Sequence, residues 1–215
     1  MRRLVSIEHA NWWMLGIWLV FVILALVVNA PAMGRFDQRM TARIQHRHGP
    51  WRDRLARSAT FLGNTEILLA IGLAVVGYLL ASSRMWAALF SALGLLGMPI
   101  SGAIKYLVRR QRPQSEIARV VLPVVGLSFP SGHAMTAIMF YGFIAFLIGV
   151  HAQSDHARFC VGALTLLILL ISWSRIYLGA HWFSDVVGGL AGGSFFLLLM
   201  TLLYRKLAVG EILTR

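Results

Sequence analysis

Long apolar stretches alternate with short polar segments along the whole chain. Six of the stretches contain no Asp, Glu, Lys or Arg, and they cover residues 12–30, 67–83, 85–104, 134–150, 159–174 and 186–204. A helix needs about 20 apolar residues to cross the hydrocarbon core of a bilayer, within a range of about 17–25. Since a helix satisfies its backbone amides within one segment, the pattern predicts six transmembrane helices.

The segment between the first two predicted spans is basic and periodic. Arginine recurs there at every fourth position, at Arg35, Arg39, Arg43 and Arg47. Apolar side chains fall between the arginines at helical spacing, at Met33, Phe36, Met40 and Ile44. This pattern predicts an amphipathic interfacial helix along the lipid headgroups, ended by Gly49 and Pro50. The alternative interpretation is a solvated charged face.

The last predicted span carries two overlapping Gly-x-x-x-Gly patterns, formed by Gly188, Gly189, Gly192 and Gly193. Small residues at this spacing let two membrane helices approach closely. We therefore interpret these glycines as packing residues rather than as part of a catalytic site.

Composition strengthens the membrane prediction. Hydrophobic residues make up 58% of the chain and charged residues 13%, whereas a soluble domain has about 25% charged residues. The mean hydropathy is +0.72. These values exclude a disordered chain, and a soluble globule of this size could not bury so much apolar surface. We predict an all-α polytopic membrane protein in which residues 1–215 form a single domain.

The net charge of +12 narrows the class of partner. In so apolar a chain we expect no nucleic-acid partner, and the positive charge is assigned to lipid headgroups or an anionic substrate. Arg109, Arg110 and Arg119 lie near predicted span ends and are interpreted as reaching to the headgroups. The single cysteine, Cys160, excludes an intrachain disulfide framework and a cysteine-based zinc site. The oligomeric state stays open.

Two polar loops hold the residues with catalytic potential. The first loop joins the third and fourth predicted spans, and the second joins the fifth and sixth. Because crossing the fourth and fifth spans returns the chain to the face it left, both loops lie on one side of the membrane. The residues expected to converge there are Lys105, Arg112, Ser131, His133, Arg175, His181 and Asp185.

The cations of this cluster predict a site for an anion. Lys105, Arg112 and Arg175 bring three positive charges together. The planar fork of arginine suits phosphate oxygens, and lysine adds a compact charge.

The start of the fourth predicted span adds backbone donors to the same site. Pro130 fits the first helical turn, where its missing amide costs nothing. The free amides near Ser131, Gly132 and His133 then point at the anion. Gly132 is expected to let the backbone approach a phosphate closely.

The histidines supply the chemistry. His181 and Asp185 are four residues apart, so they share a helix face if the sixth helix begins near His181. The carboxylate accepts the proton of one ring nitrogen and leaves the other nitrogen free as a nucleophile. His133 can protonate the leaving oxygen, since imidazole titrates near neutral pH.

A metal site is the alternative for His133, His181 and Asp185. Two histidines and one carboxylate are the ligands of a facial triad. The surrounding cations would repel a metal ion, so we predict no metal and no cofactor.

Three motifs closely resemble the signatures of the type 2 phosphatidic acid phosphatase family of integral membrane lipid phosphatases. Lys-x6-Arg-Pro covers residues 105–113, Pro-Ser-Gly-His covers 130–133, and Ser-Arg-x5-His-x3-Asp covers 174–185. All three are present without departure and in the family's order. Vanadium haloperoxidases share the motifs but are soluble proteins. The six predicted spans therefore make them a poor match for this chain.

The resemblance implies metal-independent hydrolysis of a lipid phosphate or diphosphate through a phosphohistidine. His181 would attack phosphorus, Asp185 would orient it, and His133 would protonate the leaving group. The implied phosphate-binding residues are Lys105, Arg112, Ser131, Gly132 and Arg175. The expected substrate is undecaprenyl diphosphate, phosphatidylglycerophosphate, phosphatidic acid or a lipid A phosphate, and no sequence feature selects among them. The rival hypothesis is a non-catalytic membrane carrier of an anion or lipid, which would need no nucleophile.

Two observations predict opposite membrane faces for the site. Members of the family usually work at the periplasmic, extracytoplasmic or lumenal face. In this chain, Lys and Arg are more numerous in the loops of the catalytic side, and the positive-inside rule places such loops in the cytoplasm. Following the family, we expect a bacterial inner-membrane protein whose site faces the periplasm.

Overall fold

The computed structural model describes residues 7–152 and 154–209, and the regular secondary structure of these residues is helical throughout. The described residues form nine α-helices: α1 (Ile7–Val27), α2 (Pro31–Gln45), α3 (Pro50–Phe61), α4 (Thr65–Ala81), α5 (Met85–Leu93), α6 (Gly97–Val108), α7 (Gly132–His151), α8 (Asp155–Tyr177) and α9 (Phe183–Leu207). A 3₁₀ turn, Gly94–Leu96, joins α5 to α6. The predicted all-α fold is confirmed.

Four segments of the described chain are long and apolar enough to cross a membrane. They are Met85–Val108, α7, α8 and α9. Two bent helix pairs raise the number to as many as six if each pair is one span. Residues 11–27 and α2 meet at 105°, and α3 and α4 meet at 52°. The polytopic membrane architecture is confirmed, and the apolar runs in α1 and α4 are the predicted first and second spans.

The basic segment is helical, but its buried face differs from the prediction. Helix α2 turns through 105° from the end of α1, and its arginines are exposed as expected. The side chains that it buries are Asp37, Thr41 and Gln45, not the apolar stripe. Helix α2 ends at Gln45, before the predicted stop at Gly49 and Pro50, and Pro50 opens α3 in the first-turn position that proline favours.

Helix α7 lies at the centre of the bundle and packs against α6, α8 and α9. Its contact with α9 depends on the predicted glycines. A Cβ at Gly189 would lie 2.5 Å from the carbonyl oxygen of Ser131, and one at Gly193 would lie 2.8 Å from that of Met135. The close approach brings the first turn of α9 against the first turn of α7, where Ser131 N donates to the carbonyl oxygen of Asp185 at 2.9 Å.

Candidate active site

Three chain segments meet at one end of the bundle: the loop after α6, the start of α7, and the connection from α8 to α9. Arg112 Nη1 of the first segment lies 3.2 Å from His181 Nε2 of the third. Electrostatic interactions join His133, at the start of α7, to His181, Arg175, Lys105 and Arg112. The structure therefore brings together the residues that the two polar loops were expected to supply.

His181 lies just before α9 rather than inside it. The helix begins at Phe183 with Trp182 as its N-cap residue, so it begins near His181, as the shared-face argument required. His181 Nδ1 is 3.6 Å from Asp185 Oδ2, which is too long for a hydrogen bond. Ser128 Oγ lies 3.3 Å from His181 Nδ1 and donates to Asp185 Oδ2 at 2.5 Å. The serine hydroxyl thus connects the imidazole to the carboxylate.

The neighbours of His181 determine its tautomer. Arginine has no acceptor, so the contact with Arg112 Nη1 requires His181 Nε2 to carry the lone pair. The proton of the neutral ring is then on Nδ1 and points toward Ser128 Oγ. His181 consequently presents Nε2 toward the cations of the site.

Burial keeps this imidazole neutral. His181 is 1% exposed. Its pKa lies well below the usual range because of this burial and, after it, the positive charges of Arg175, Arg112 and Lys105. A neutral imidazole has the free lone pair that a nucleophile needs.

Asp185 is held by three donors. It is completely buried, and its Oδ1 accepts from Arg110 Nη1 at 2.7 Å. Its Oδ2 accepts from Trp182 N at 2.8 Å as well as from Ser128 Oγ. The carboxylate therefore has a fixed orientation in the first turn of α9, where a negative charge is also favoured by the helix dipole.

Arg110 and Arg119 form ion pairs within the protein, so the interpretation that they reach to the lipid headgroups is wrong. Arg110 is only 5% exposed and pairs with Asp37 as well as Asp185. Arg119 forms two hydrogen bonds to Asp53, at 2.7 and 3.1 Å. Arg109 is exposed, as the interpretation requires. No sequence pattern separated Arg110 from its exposed neighbour.

The second histidine is supported by the corner between α3 and α4. His133 Nε2 lies 3.1 Å from Asn64 Oδ1. A Cβ on Gly63 would come within 3.0 Å of the His133 ring, so the glycine makes room for the imidazole. Neither Asn64 nor Gly63 was a predicted site residue, because no motif marks this corner.

The cations keep donors available for an anion. Arg175 Nη1 donates to Thr60 Oγ1 at 2.6 Å, while its buried Nε has no partner among the described residues. Ser131 Oγ is likewise buried without a partner in this part of the chain. Arg112 is anchored through Nη1 to the carbonyl oxygen of Ala180 at 2.5 Å. Buried polar atoms without partners are rare, and here both can donate.

The start of α7 differs from the prediction in two ways. Pro130 precedes the helix instead of lying in its first turn, because Ser131 is the N-cap residue. The Ser131 amide is already used by the Asp185 carbonyl, so Gly132 and His133 contribute the amides that lack a helical partner. A Cβ at Gly132 would lie 2.5 Å from Met98 Sδ and 3.1 Å from Ser101 Oγ, so a larger residue here would require these side chains of α6 to shift.

The metal alternative finds no ligand set in the described residues. No group of three or more His, Cys, Asp or Glu side chains there is placed to hold a metal ion. Asp185 is occupied by its three donors, one of which is the positively charged Arg110.

The comparisons with known proteins agree with this geometry. A sequence model described as the PAP2 superfamily matches residues 84–208. Phosphatidylglycerophosphatase B of Bacillus subtilis (strain 168) is 27% identical over 185 residues, which cover 83% of this chain and 88% of that protein. A putative undecaprenyl-diphosphatase of Escherichia coli (strain K12) is 39% identical over 66 residues, 31% of this chain and 29% of the relative.

A solved structure shares the fold. The crystal structure of a transmembrane PAP2-type phosphatidylglycerolphosphate phosphatase from Bacillus subtilis superposes with a TM-score of 0.83 at 25% identity. The superposition covers 91% of this chain and 98% of that one. The PAP2 superfamily model matches more than half of the residues of the present chain. The chain therefore belongs to the PAP2 superfamily and is an integral membrane lipid phosphatase.

Proposed function

We propose that this phosphatase hydrolyses a membrane lipid phosphate or diphosphate through a phosphohistidine on His181, without a metal ion. The observation that supports it most is the pairing of a buried neutral imidazole, whose Nε2 faces Arg112, with donors on Ser131 and Arg175 that have no partner within the described ranges. A phosphate group that entered this site would meet the one ring nitrogen of His181 that carries a lone pair.

In the first step, the phosphoryl oxygens are bound by Lys105, Arg112, Ser131, Gly132 and Arg175. The Nε2 lone pair of His181 attacks phosphorus, and the bond to the lipid oxygen breaks. The negative charge of the bound substrate offsets the nearby cations, so His133 is protonated in the complex and gives its proton to the departing lipid alkoxide or lipid phosphate. Asp185, acting through Ser128, holds the Nδ1 proton and balances the positive charge that develops on the imidazole.

In the second step, water attacks the phosphohistidine. His133, now neutral, accepts the proton of the water as the new P–O bond forms. The P–N bond breaks, its electron pair returns to His181 Nε2, and inorganic phosphate leaves. Both histidines are then restored to their starting protonation states.

Phosphatidylglycerophosphate is the substrate best supported by similarity, because the relative named for that activity matches across most of both chains. Undecaprenyl diphosphate and phosphatidic acid remain in the proposed class. The acyl or prenyl tail would enter sideways between helices while the headgroup occupies the cationic site.

Phosphate release by purified protein in EDTA tests the proposal. We expect turnover of at least one lipid from a panel of mono- and diphosphates, and loss of that turnover in His181→Ala. His156→Ala is the matched control, since His156 is exposed beyond the other end of the bundle. Loss of turnover in EDTA, or full turnover in His181→Ala, contradicts the proposal. Lipid or anion flux that survives His181→Ala, without phosphate release, would favour the carrier.

We further propose that the site faces the periplasm of a bacterial inner membrane. Ser115 lies in the exposed loop of the catalytic end, and His156 lies beyond the opposite end. In a Cys160→Ser background, Ser115→Cys should react with an impermeant maleimide in intact cells, and His156→Cys should react only after permeabilisation. The reverse labelling pattern would place the site in the cytoplasm.

A further inference from the structure

An open cavity at the corner between α2 and α3 is lined by basic side chains. We call it the basic groove; its volume is about 490 Å³, and its lining is Ala42, Arg43, Ile44, His46, Arg47 and Arg52. No acidic residue is in this lining. The groove therefore carries a concentrated positive charge.

The arginines of the groove have no acidic partners among the described residues. The only carboxylates of α2 and α3 belong to Asp37 and Asp53, which pair with Arg110 and Arg119 respectively. Arg52 Nη1 donates instead to the carbonyl oxygen of Arg47 at 2.5 Å, so this hydrogen bond links the start of α3 to the segment that follows α2. The positive charge of the groove is thus left for an external anion.

A second cavity, of about 410 Å³, adjoins the basic groove. It is lined by Ile44, Trp51, Arg52, Leu55, Leu170 and Trp173, and it shares Ile44 and Arg52 with the groove. Leu170 and Trp173 belong to α8, a membrane span. The two cavities therefore run from the basic corner to side chains of a membrane span, with exposed Trp51 beside them.

We propose that the two cavities together bind one anionic phospholipid at a site separate from the active site. The lipid phosphate lies among Arg43, Arg47 and Arg52, whose guanidinium groups suit phosphate oxygens. An acyl chain lies along Leu55 and Leu170, flanked by tryptophans of the kind that occupy membrane interfaces. None of these residues belongs to the proposed catalytic set, so the site does not rest on the proposed function.

Native mass spectrometry of the purified protein tests this site, with phosphatidylglycerol as the probe. Arg43→Gln with Arg47→Gln should weaken binding of the lipid roughly 30-fold, from about 1 kcal/mol for each of the two lost basic contacts. Arg35→Gln with Arg39→Gln removes the same charge from exposed positions of α2 outside the groove, and should have a much smaller effect.

Three results would overturn the lipid site. An equal loss in both double variants would show only diffuse surface charge, and equal binding of phosphatidylcholine would remove the role of the anion. Displacement of the lipid by millimolar inorganic phosphate would identify a free phosphate site instead.

A different observation supports a second inference, on how Asp185 is held. Asp37 of α2 is completely buried, and its carboxylate accepts from Ser184 N at 2.8 Å and Ser184 Oγ at 2.7 Å. Arg110 places one Nη on Asp37 and the other on Asp185 Oδ1. One guanidinium therefore bridges two buried carboxylates on different helices.

We infer that Asp37 and Arg110 are positioning residues for the reaction. A buried guanidinium needs both halves paired, and Asp37 occupies the half that Asp185 leaves free. With Arg110 fixed, Asp185 keeps Oδ2 toward Ser128 and His181. This inference rests on the proposed role of Asp185.

Asp37→Asn is the test, because asparagine keeps the shape and removes the charge. We expect kcat per folded molecule to fall roughly 10- to 100-fold with little change in KM, as for other residues that orient a reacting group's partner. Asp53→Asn is the control, since Asp53 pairs with Arg119 away from Asp185. Thermal unfolding of each variant separates lost turnover from lost folding.

Asp185→Asn shows whether a negative result contradicts the positioning role of Asp37 or the proposed catalytic role of Asp185. If Asp185→Asn lowers kcat and Asp37→Asn does not, only the positioning inference fails. If Asp185→Asn leaves kcat unchanged, the proposed catalytic role fails first. If kcat falls equally in Asp53→Asn, Asp37 contributes only to the stability of the fold and the positioning inference is wrong.

Discussion

At the scale of single residues, the candidate nucleophile is defined by what its two ring nitrogens face. His181 Nε2 faces Arg112, and Nδ1 faces Ser128. The Ser128 hydroxyl in turn donates a hydrogen bond to Asp185. The motif predicts the histidine and the aspartate but not the serine between them. Ser128 lies in the irregular loop before α7, where no periodicity marks it, and only the folded chain brings it to His181.

The pH behaviour of His181 follows from its burial. Because its pKa lies well below the usual range, the ring stays neutral as the pH falls past about 6.5, where an unperturbed histidine is half protonated. NMR titration of histidine-labelled protein, assigned with His181→Ala, should show a midpoint below that of the denatured chain. A midpoint at or above the denatured value would contradict the neutral nucleophile.

Arg112→Lys should be costly although it keeps the positive charge. Arg112 is anchored to the carbonyl oxygens of Gly126 and Ala180, at 3.2 and 2.5 Å, while it faces His181. Lysine cannot make these contacts together, and losing one charged hydrogen bond to phosphate lowers kcat/KM by roughly 10- to 100-fold. A near-normal kcat/KM, measured with the preferred lipid, would contradict the explanation that the guanidinium group makes several contacts that lysine cannot make together.

At the scale of elements, sequence predicts what depends on local pattern. Apolar runs predicted the spans, and the glycines of α9 predicted its close contact with α7. The buried face of α2 was missed, although Asp37, Thr41 and Gln45 also recur every four residues. Periodicity shows which residues share a face but not which face meets the protein, because the polar partners of α2 come from distant loops.

The contact between α7 and α9 gives a stability prediction. Gly189→Ala places a methyl group 2.5 Å from a backbone oxygen that cannot move aside easily. We expect it to destabilise the protein by about 1–3 kcal/mol and to lower activity, because the same contact positions Asp185. Thermal unfolding in detergent measures the first effect.

Gly149→Ala is the matched control in α7. A Cβ at Gly149 would meet nothing within 4 Å, so the change should leave the unfolding temperature unaltered or slightly raised. Equal destabilisation by both substitutions would contradict the packing explanation.

At the scale of the whole molecule, one end of the bundle carries the candidate active site. Helices α2 and α3 bend away from the neighbouring apolar helices and lie beside the cationic site, with Thr60 and Asn64 reaching Arg175 and His133. Their outer arginines form the basic groove at the same end. A single fold thus separates a buried charge cluster, which we propose for catalysis, from an exposed one, which we propose for lipid contact.

Trapping the covalent intermediate tests the central claim most directly. Purified protein, mixed rapidly with a lipid substrate radiolabelled in its transferred phosphate and quenched in alkali, should carry an acid-labile, alkali-stable label on the peptide that contains His181. The label should be absent from His181→Ala. A label on another residue, or a burst of released phosphate with no labelled protein, would contradict the phosphohistidine path.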